Sequence, residues 1–303
     1  TNAFANLTSL ETVTIGDNIT SIGDRAFYGS FSLRSIINGK NVQFIGAYSF
    51  SFCQNIETFS ISDNLISIDQ YSFCNCILLT TITIPNTLQS IGDYAFSYCS
   101  LLASIVLGEE LKSIGKSAFS HCEKITKISL PAKLETIGEG AFIGMTSLTS
   151  FEVESGNQNF VVQNDILFDT TKTELIQYPP SKSGQEYQVT DLITSIHEYA
   201  FAYSELVSIK LHDKITSIGK GAFCHCSKLA SIEIPQSLSL INASLFQYCV
   251  SLTKVTMGNN IGEIGDCAFD GCNSLQSIDL SQQLKTIGKS AFRLCSSLTS
   301  LDL

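Results

Sequence analysis

A phenylalanine recurs down this chain every 23 residues. The series runs Phe4, Phe27, Phe50, Phe73, Phe96, Phe119 and Phe142, then Phe201, Phe223, Phe246, Phe269 and Phe292. Every gap is 23 except Phe142 to Phe201 (59) and Phe201 to Phe223 (22). Ile-Gly-x-x-Ala precedes most of these residues, and apolar positions follow at a fixed spacing, as Leu79, Ile82, Ile84, Leu88 and Ile91 follow Phe73. A self-similar period of this kind means that one repeat is one coil, which cannot bury its apolar face alone and must stack on its neighbours. The core then grows along one axis, so length is no guide to the number of domains.

The Ile-x-Ile pair has the two-residue period of a strand, which puts both side chains on one face. Stacked coils bring these strands into one parallel sheet. The Ile-Gly-x-x-Ala-Phe half is expected to return as a short helical turn with Ile, Ala and Phe inward. Leucine/isoleucine spacing at a period of roughly 20–29 residues is that of a leucine-rich-repeat solenoid. The expected fold is therefore α/β: a leucine-rich-repeat solenoid with a parallel β-sheet on one face, short helical turns on the other, and one β-hairpin insertion. Pro85, Pro131 and Pro235 stand just after the strand, where the chain must turn and a missing N–H does no harm. The glycine of the phrase is replaced only by Asp69, His197 and Asn242. These residue types best tolerate positive φ, so the position is expected to be a left-handed turn, or an Asx-type cap that needs a small polar residue.

Hydrophobic residues make up 44% of the chain and charged residues 15%, which excludes disorder. The net charge of −10 argues against a nucleic-acid surface, which needs clustered Lys and Arg. No apolar run is long enough to span a membrane. Thr1 to Phe4 already lie inside a repeat, and the other end, Leu298 to Leu303, stops on a repeat strand. Solenoids need polar caps, so the chain is expected to be an excerpt of a longer one, with leucine-rich repeats at 1–154, a β-hairpin insertion at 155–186 and repeats again at 187–303.

Eight of the eleven cysteines share one column, three residues after the Phe: Cys53, Cys76, Cys99, Cys122, Cys226, Cys249, Cys272 and Cys295. Other coils place Leu7, Ser30, Met145 or Ser204 there, the mark of a small buried packing site. Parallel Cβ vectors on adjacent strands do not suit a disulfide, so free thiols packed as small hydrophobes are expected. Cys224-His225-Cys226 does not have zinc spacing. Gly115-Lys-Ser and Gly288-Lys-Ser resemble the end of a P-loop, but the first glycine of that motif is replaced by Glu110 and Gln283. Three sequons, at Asn6, Asn18 and Asn242, are few enough for an Asn/Ser/Thr-rich chain to carry by chance. No catalytic set departs from the repeat, so an enzyme is not expected, and neither a cofactor nor a metal is called for.

Between Phe142 and Phe201, Phe160/Val162, Ile166/Phe168 and Leu175/Tyr178 alternate as short strands about a turn at Asp169–Lys172. The expected element is a β-hairpin beside the solenoid. The coil phrase Cys99-Ser-Leu-Leu-Ala-Ser-Ile-Val-Leu with Ser113-Ile-Gly-Lys-Ser-Ala-Phe119 resembles the BspA-like, or Treponema-type, leucine-rich repeat. The phrase Asp165-Ile-Leu-Phe through Thr173-Glu-Leu-Ile-Gln-Tyr-Pro179 is similar to an insertion of that family. The resemblance covers essentially the whole chain. It implies a cell-surface or secreted protein that binds protein partners, host matrix or microbial surface proteins among them, in adhesion.

The wet face of the sheet is where a partner would be met. Its outward columns are Ser and Thr, with Ile37 and Val106, through the first five coils, and charge enters only at Lys127. Lys127, Glu152, Glu154, Lys210, His212, Glu233 and Lys254 are therefore the candidate binding residues, since charge sets register and specificity. A non-enzymatic adhesion scaffold is one reading. A structural spacer that holds other domains, with no ligand of its own, is the other.

Overall fold

A computed structural model describes residues 1–37 and 39–302, so Leu303, the last residue of the expected terminal strand, lies outside it. Contacts divide the chain into two compact units, Thr1–Phe160 and Val161–Leu303. In both, each coil contributes two short strands rather than one.

In the first unit, Thr12–Thr14, Ser35–Ile37, Thr58–Phe59, Thr81–Thr83 and Ser104–Val106 form a parallel sheet, and Lys127–Leu130 pairs in parallel with Ser150–Val153. We call these the outer strands. A second parallel sheet runs through Ser21–Ile22, Phe44–Ile45, Ser67–Ile68, Ser90–Ile91, Ser113–Ile114 and Thr136–Ile137. Register follows the repeat: Ser113 faces Ser90 and Thr136, and Ile114 faces Ile91 and Ile137. The second unit repeats the plan, with outer strands Glu186–Gln188, Ser208–Lys210, Ser231–Glu233, Lys254–Thr256 and Ser277–Asp279. Pro85, Pro131 and Pro235 follow outer strands as expected, and each accepts at its carbonyl the N–H of a buried leucine three residues on.

No helix occurs among the described residues, so the expected helical turns are corrected. The cause is visible in the backbone. In each of the twelve phenylalanine coils the residues two before and two after the Phe have positive φ, as Tyr94 (56°) and Tyr98 (60°) flank Phe96. No right-handed run can form across them. The amides alternate instead: Tyr94, Phe96 and Tyr98 donate to Lys116, Ala118 and Ser120 of the next coil, while Ala95, Ser97 and Cys99 close local turns on Gly92, Tyr94 and Phe96. Half of the N–H groups that a helix needs for its own carbonyls are thus committed between coils.

The glycine column has a different cause from the one expected, because none of its eight members has positive φ. A Cβ on Gly92 would lie 2.5 Å from the Gln70 nitrogen and 2.6 Å from the Asp69 carbonyl carbon, and one on Gly138 would lie 2.4 Å from the Lys116 nitrogen. Close approach of adjacent backbones selects glycine here. The exceptions make bonds of their own: the Asp69 carboxylate accepts the Gln70 N–H at 2.7 Å, and Asn242 Nδ2 donates to the Ile218 carbonyl at 2.7 Å.

Inside, the phenylalanines stack ring on ring. Phe73 to Phe96 is 5.2 Å with planes 2° apart, and Phe223 to Phe246 is 5.5 Å. Tyr178 fills the same column in the second unit, 5.2 Å from Phe201 and 23 residues before it. The insertion is therefore more than a hairpin laid against a solenoid. Ile166–Asp169 and Glu174–Gln177 are antiparallel, but Glu174–Gln177 pairs in parallel with Ser195–Ile196 and so belongs to the second sheet. Phe160–Gln163 adds a further strand, joined through Asn164 and Asp165, both at positive φ, as a two-residue hairpin turn requires.

The column cysteines are free thiols. Each Sγ–H donates to the carbonyl of the preceding column Phe: Cys99 to Phe73 at 3.2 Å, Cys249 to Phe223 at 3.0 Å. Ser30 makes the same bond to Phe4 with its hydroxyl. Burial pushes the Cys53 thiol up to about 12 and Cys76 and Cys99 well above the ordinary range. Burial thus favours the neutral thiol at Cys53, Cys76 and Cys99, which pack as small hydrophobes.

Candidate binding surface

On the outer strands the inward residue is buried, or half-buried at Val13, Ile105 and Tyr187, and the flanking residues are more open to water. Thr81–Thr83 and Lys254–Thr256 both read exposed, buried, exposed. The pleat dictates this, since side chains alternate across a strand.

In the first unit Lys127 opens its strand and Glu152 lies on the next, one pair along: Lys127 is opposite Ser150, and Ser129 is opposite Glu152. The two side chains meet diagonally in an ion pair of 2.5 Å, both about half exposed. Glu154 follows the strand Ser150–Val153, and its carboxylate accepts the Ala132 N–H at 3.3 Å. That carboxylate fixes a turn.

In the second unit Lys210, Glu233 and Lys254 stand on consecutive outer strands, all exposed. Lys210 is opposite Gln188, and Lys254 lies between Ser231 and Ser277. None of the three forms an ion pair among the described residues. His212 is different: its Nε2 donates to the Thr190 carbonyl at 2.9 Å while Nδ1 accepts the Lys214 N–H at 3.3 Å. Its ring is fastened to the preceding coil on one side and to its own coil on the other.

The structure therefore brings Lys127 to Glu152, sets Lys210, Glu233 and Lys254 side by side, and turns Glu154 and His212 to structural work. Sequence reasoning missed Glu186, which is exposed opposite Ser208 at the head of the second unit's outer column. The signal was present. Tyr178 lies 23 residues before Phe201, and taking it as a column member puts Glu186 and Gln188 on the outer face.

The motif look-alikes are occupied by the fold. Gly115 and Lys116 donate their amides to the Ile91 carbonyl and the Asp93 carboxylate, and Gly288 and Lys289 do the same to Ile264 and Asp266. The glycine and lysine amides of both look-alikes are thus already committed and are not free to cradle phosphate. The His225 ring lies between Tyr203 at 4.4 Å and Tyr248 at 4.8 Å, and Cys226 donates to the Phe201 carbonyl.

Residues 1–78, 67–184 and 194–303 match the family described as BspA type leucine rich repeat region, in six copies. The chain belongs to this BspA-type family. Among solved structures, a leucine rich cell surface protein of Faecalibacterium prausnitzii is similar to it at 31% identity and a TM-score of 0.86, over 96% of this chain and 78% of that one. The pneumococcal vaccine antigen PcpA is similar at 25% identity and a TM-score of 0.76, over 97% and 70%. A leucine-rich repeat protein of Bacteroides ovatus is similar at 26% identity and 0.63, over 98% and 79%. Among proteins of curated function, none matches in sequence. Relatives of this chain thus include bacterial cell-surface proteins, and no helix of the described residues is long and apolar enough to cross a membrane.

Proposed function

We propose that this BspA-type chain is a non-enzymatic, cell-surface scaffold that binds a protein partner in adhesion. The observation that carries the reading is the row of unpaired charges on the second unit's outer face. Lys210, Glu233 and Lys254 are exposed, neighbouring and free of ion pairs among the described residues. Charges not satisfied within a fold are available to steer and register a partner. Lys127 and Glu152, on the first unit's outer face, are a pair already formed, which a partner would have to share or displace. Similarity to a leucine rich cell surface protein and to a vaccine antigen supports a surface location.

A spacer role is favoured by a different feature, the uncharged outer columns of the first five coils. Outward columns of Ser, Thr, Gly, one Pro and two aliphatics offer a partner little to recognise. The two readings separate in one experiment. The full chain is tested for binding to surfaces coated with extracellular-matrix proteins, beside the variant Lys127→Ala, Glu152→Ala, Lys210→Ala, Glu233→Ala. The adhesion reading expects binding that the variant loses about tenfold, or about 1.4 kcal/mol. Binding kept by the variant refutes this surface assignment, and no binding by the parent chain favours the spacer.

A further inference from the structure

The second unit contains a cleft that the repeat does not explain. It lies between the insertion strand Ile166–Asp169 and the outer strand Glu186–Gln188, with a volume of about 270 Å³. Ile166, Phe168 and Ile193 are buried side chains that give it an apolar floor, with Tyr187 beside them. Gln163, Asn164 and Gln188 stand exposed at the rim, and Lys172 leans over it half-buried. The side-chain amides of Gln163, Asn164 and Gln188 make no hydrogen bond among the described residues, and Lys172 makes no ion pair.

The acids around it are already engaged. Asp165 pairs with Lys182 at 2.9 Å, Glu174 with His197 at 3.0 Å and Asp191 with Lys214 at 3.0 Å. Asp169 accepts the Thr171 and Glu174 amides at 3.2 and 2.6 Å. Glu186 shares the outer strand but lies outside the lining. A chain of net charge −10 thus holds, at this cleft, one half-buried cation that forms no ion pair among the described residues. Leaving such a charge without a partner is unfavourable, and a ligand carboxylate would correct it.

Size decides what kind of ligand fits. Cofactor and small-molecule sites run to about 300–1,000 Å³, whereas this cleft holds one or two side chains. A dry floor of Ile, Phe and Ile suits an aliphatic or aromatic group, not the hydroxyls of a sugar. The free amides at the rim suit a peptide backbone. We propose that the cleft anchors an apolar side chain from an extended acidic segment of a protein partner: the side chain on Ile166, Phe168 and Ile193, a flanking carboxylate on Lys172, and backbone groups on the rim amides. The proposal rests on the protein-binding reading above and gives it a second, independent contact.

The test uses the full chain, labelled at the isoleucine methyl groups and titrated with blocked pentapeptides by NMR. Ac-Ser-Asp-Leu-Asp-Ser-NH₂ should shift the Ile166 and Ile193 methyl signals at concentrations on the order of 1 mM. Replacing its leucine with serine, or its aspartates with lysines, should abolish the shifts. Lys172→Gln should weaken binding about fivefold while Lys172→Arg keeps it, and both should leave the remaining methyl signals in place. Silent Ile166 and Ile193 signals at about 10 mM peptide, equal shifts from the lysine peptide, or shifts from a mannose oligosaccharide in place of the peptide would each overturn the assignment. The titration reads the cleft alone, so its failure leaves the matrix-binding test of the outer face standing, and the reverse also holds.

Discussion

A regular coil and the interrupted coil solve the same packing problem with different remainders. Around Phe96, nearly every polar group has a partner one period away. Cys99 Sγ–H goes to the Phe73 carbonyl, Ser97 to Ser120, and the Tyr94, Phe96 and Tyr98 amides to the next coil. Around Tyr178 the ring column is kept, 5.2 Å from Phe201, but the inserted strands leave Lys172 without an ion pair and three rim side-chain amides without a hydrogen bond among the described residues. The outer faces differ in the same sense, uncharged over the first five coils and charged from Lys127 onward. Repetition satisfies a surface and makes it mute, while interruption leaves groups that a partner can use.

The comparison breaks first if the thiol column is not what holds the regular coils together. Burial favours the neutral thiol, so the native state keeps its protons while the unfolded chain releases them above about pH 8.5. Stability is full below that pH and is lost on the way to the folded values, about 11 for Cys295 and about 12 for Cys53. Each column thiol that burial pushes up, Cys226 being the exception, subtracts about 1.4 kcal/mol per pH unit in that window. Circular dichroism should show cooperative alkaline unfolding there, and a chain whose stability is flat from pH 8 to about 11 would contradict the column.

The ring column predicts the next effect. Phe223→Ala should cost about 3–5 kcal/mol in denaturant unfolding, since Phe223 is fully buried between Phe201 and Phe246. Tyr178→Ala should cost as much and Tyr178→Phe about 1 kcal/mol or less, which would show that the interrupted coil keeps the column. A mild Tyr178→Ala would return that residue to an ordinary hairpin.

Glycines give a sharper contrast. Gly92→Ala should cost about 1–3 kcal/mol, because its new Cβ meets rigid backbone of the preceding coil. Gly16→Ala, with nothing within 4 Å, should change stability by about 0.5 kcal/mol or less. The smallest effect belongs to the surface: Lys127→Ala should shift stability by no more than about 1 kcal/mol, as exposed ion pairs do.

These contrasts also mark how far the residues themselves could be read. The phenylalanine period, the inward Ile and Ala, the free cysteine column and the BspA-type family were all legible, because one repeated constraint writes itself many times. The turn half was not. Tyr48, Tyr71, Tyr94 and Phe52 sit at positive φ, a conformation that bulky residues avoid unless neighbours impose it. The neighbours here are the stacked coils: Tyr71 lies 4.6 Å from both Tyr48 and Tyr94. Glycine was misread for the same reason, since it answers to the adjacent coil and not to its own φ. Of the site residues, Glu154 and His212 look like free polar groups in the sequence, and only the backbone groups they meet reveal otherwise.

The most direct test of the central claim compares the two outer faces within the full chain. One variant carries Lys210→Ala, Glu233→Ala and Lys254→Ala, and the other carries Thr58→Ala, Thr81→Ala and Thr83→Ala. Binding to a matrix-protein surface should fall about tenfold in the first and change less than about twofold in the second. The opposite order, with the threonine face carrying the binding, would contradict the account.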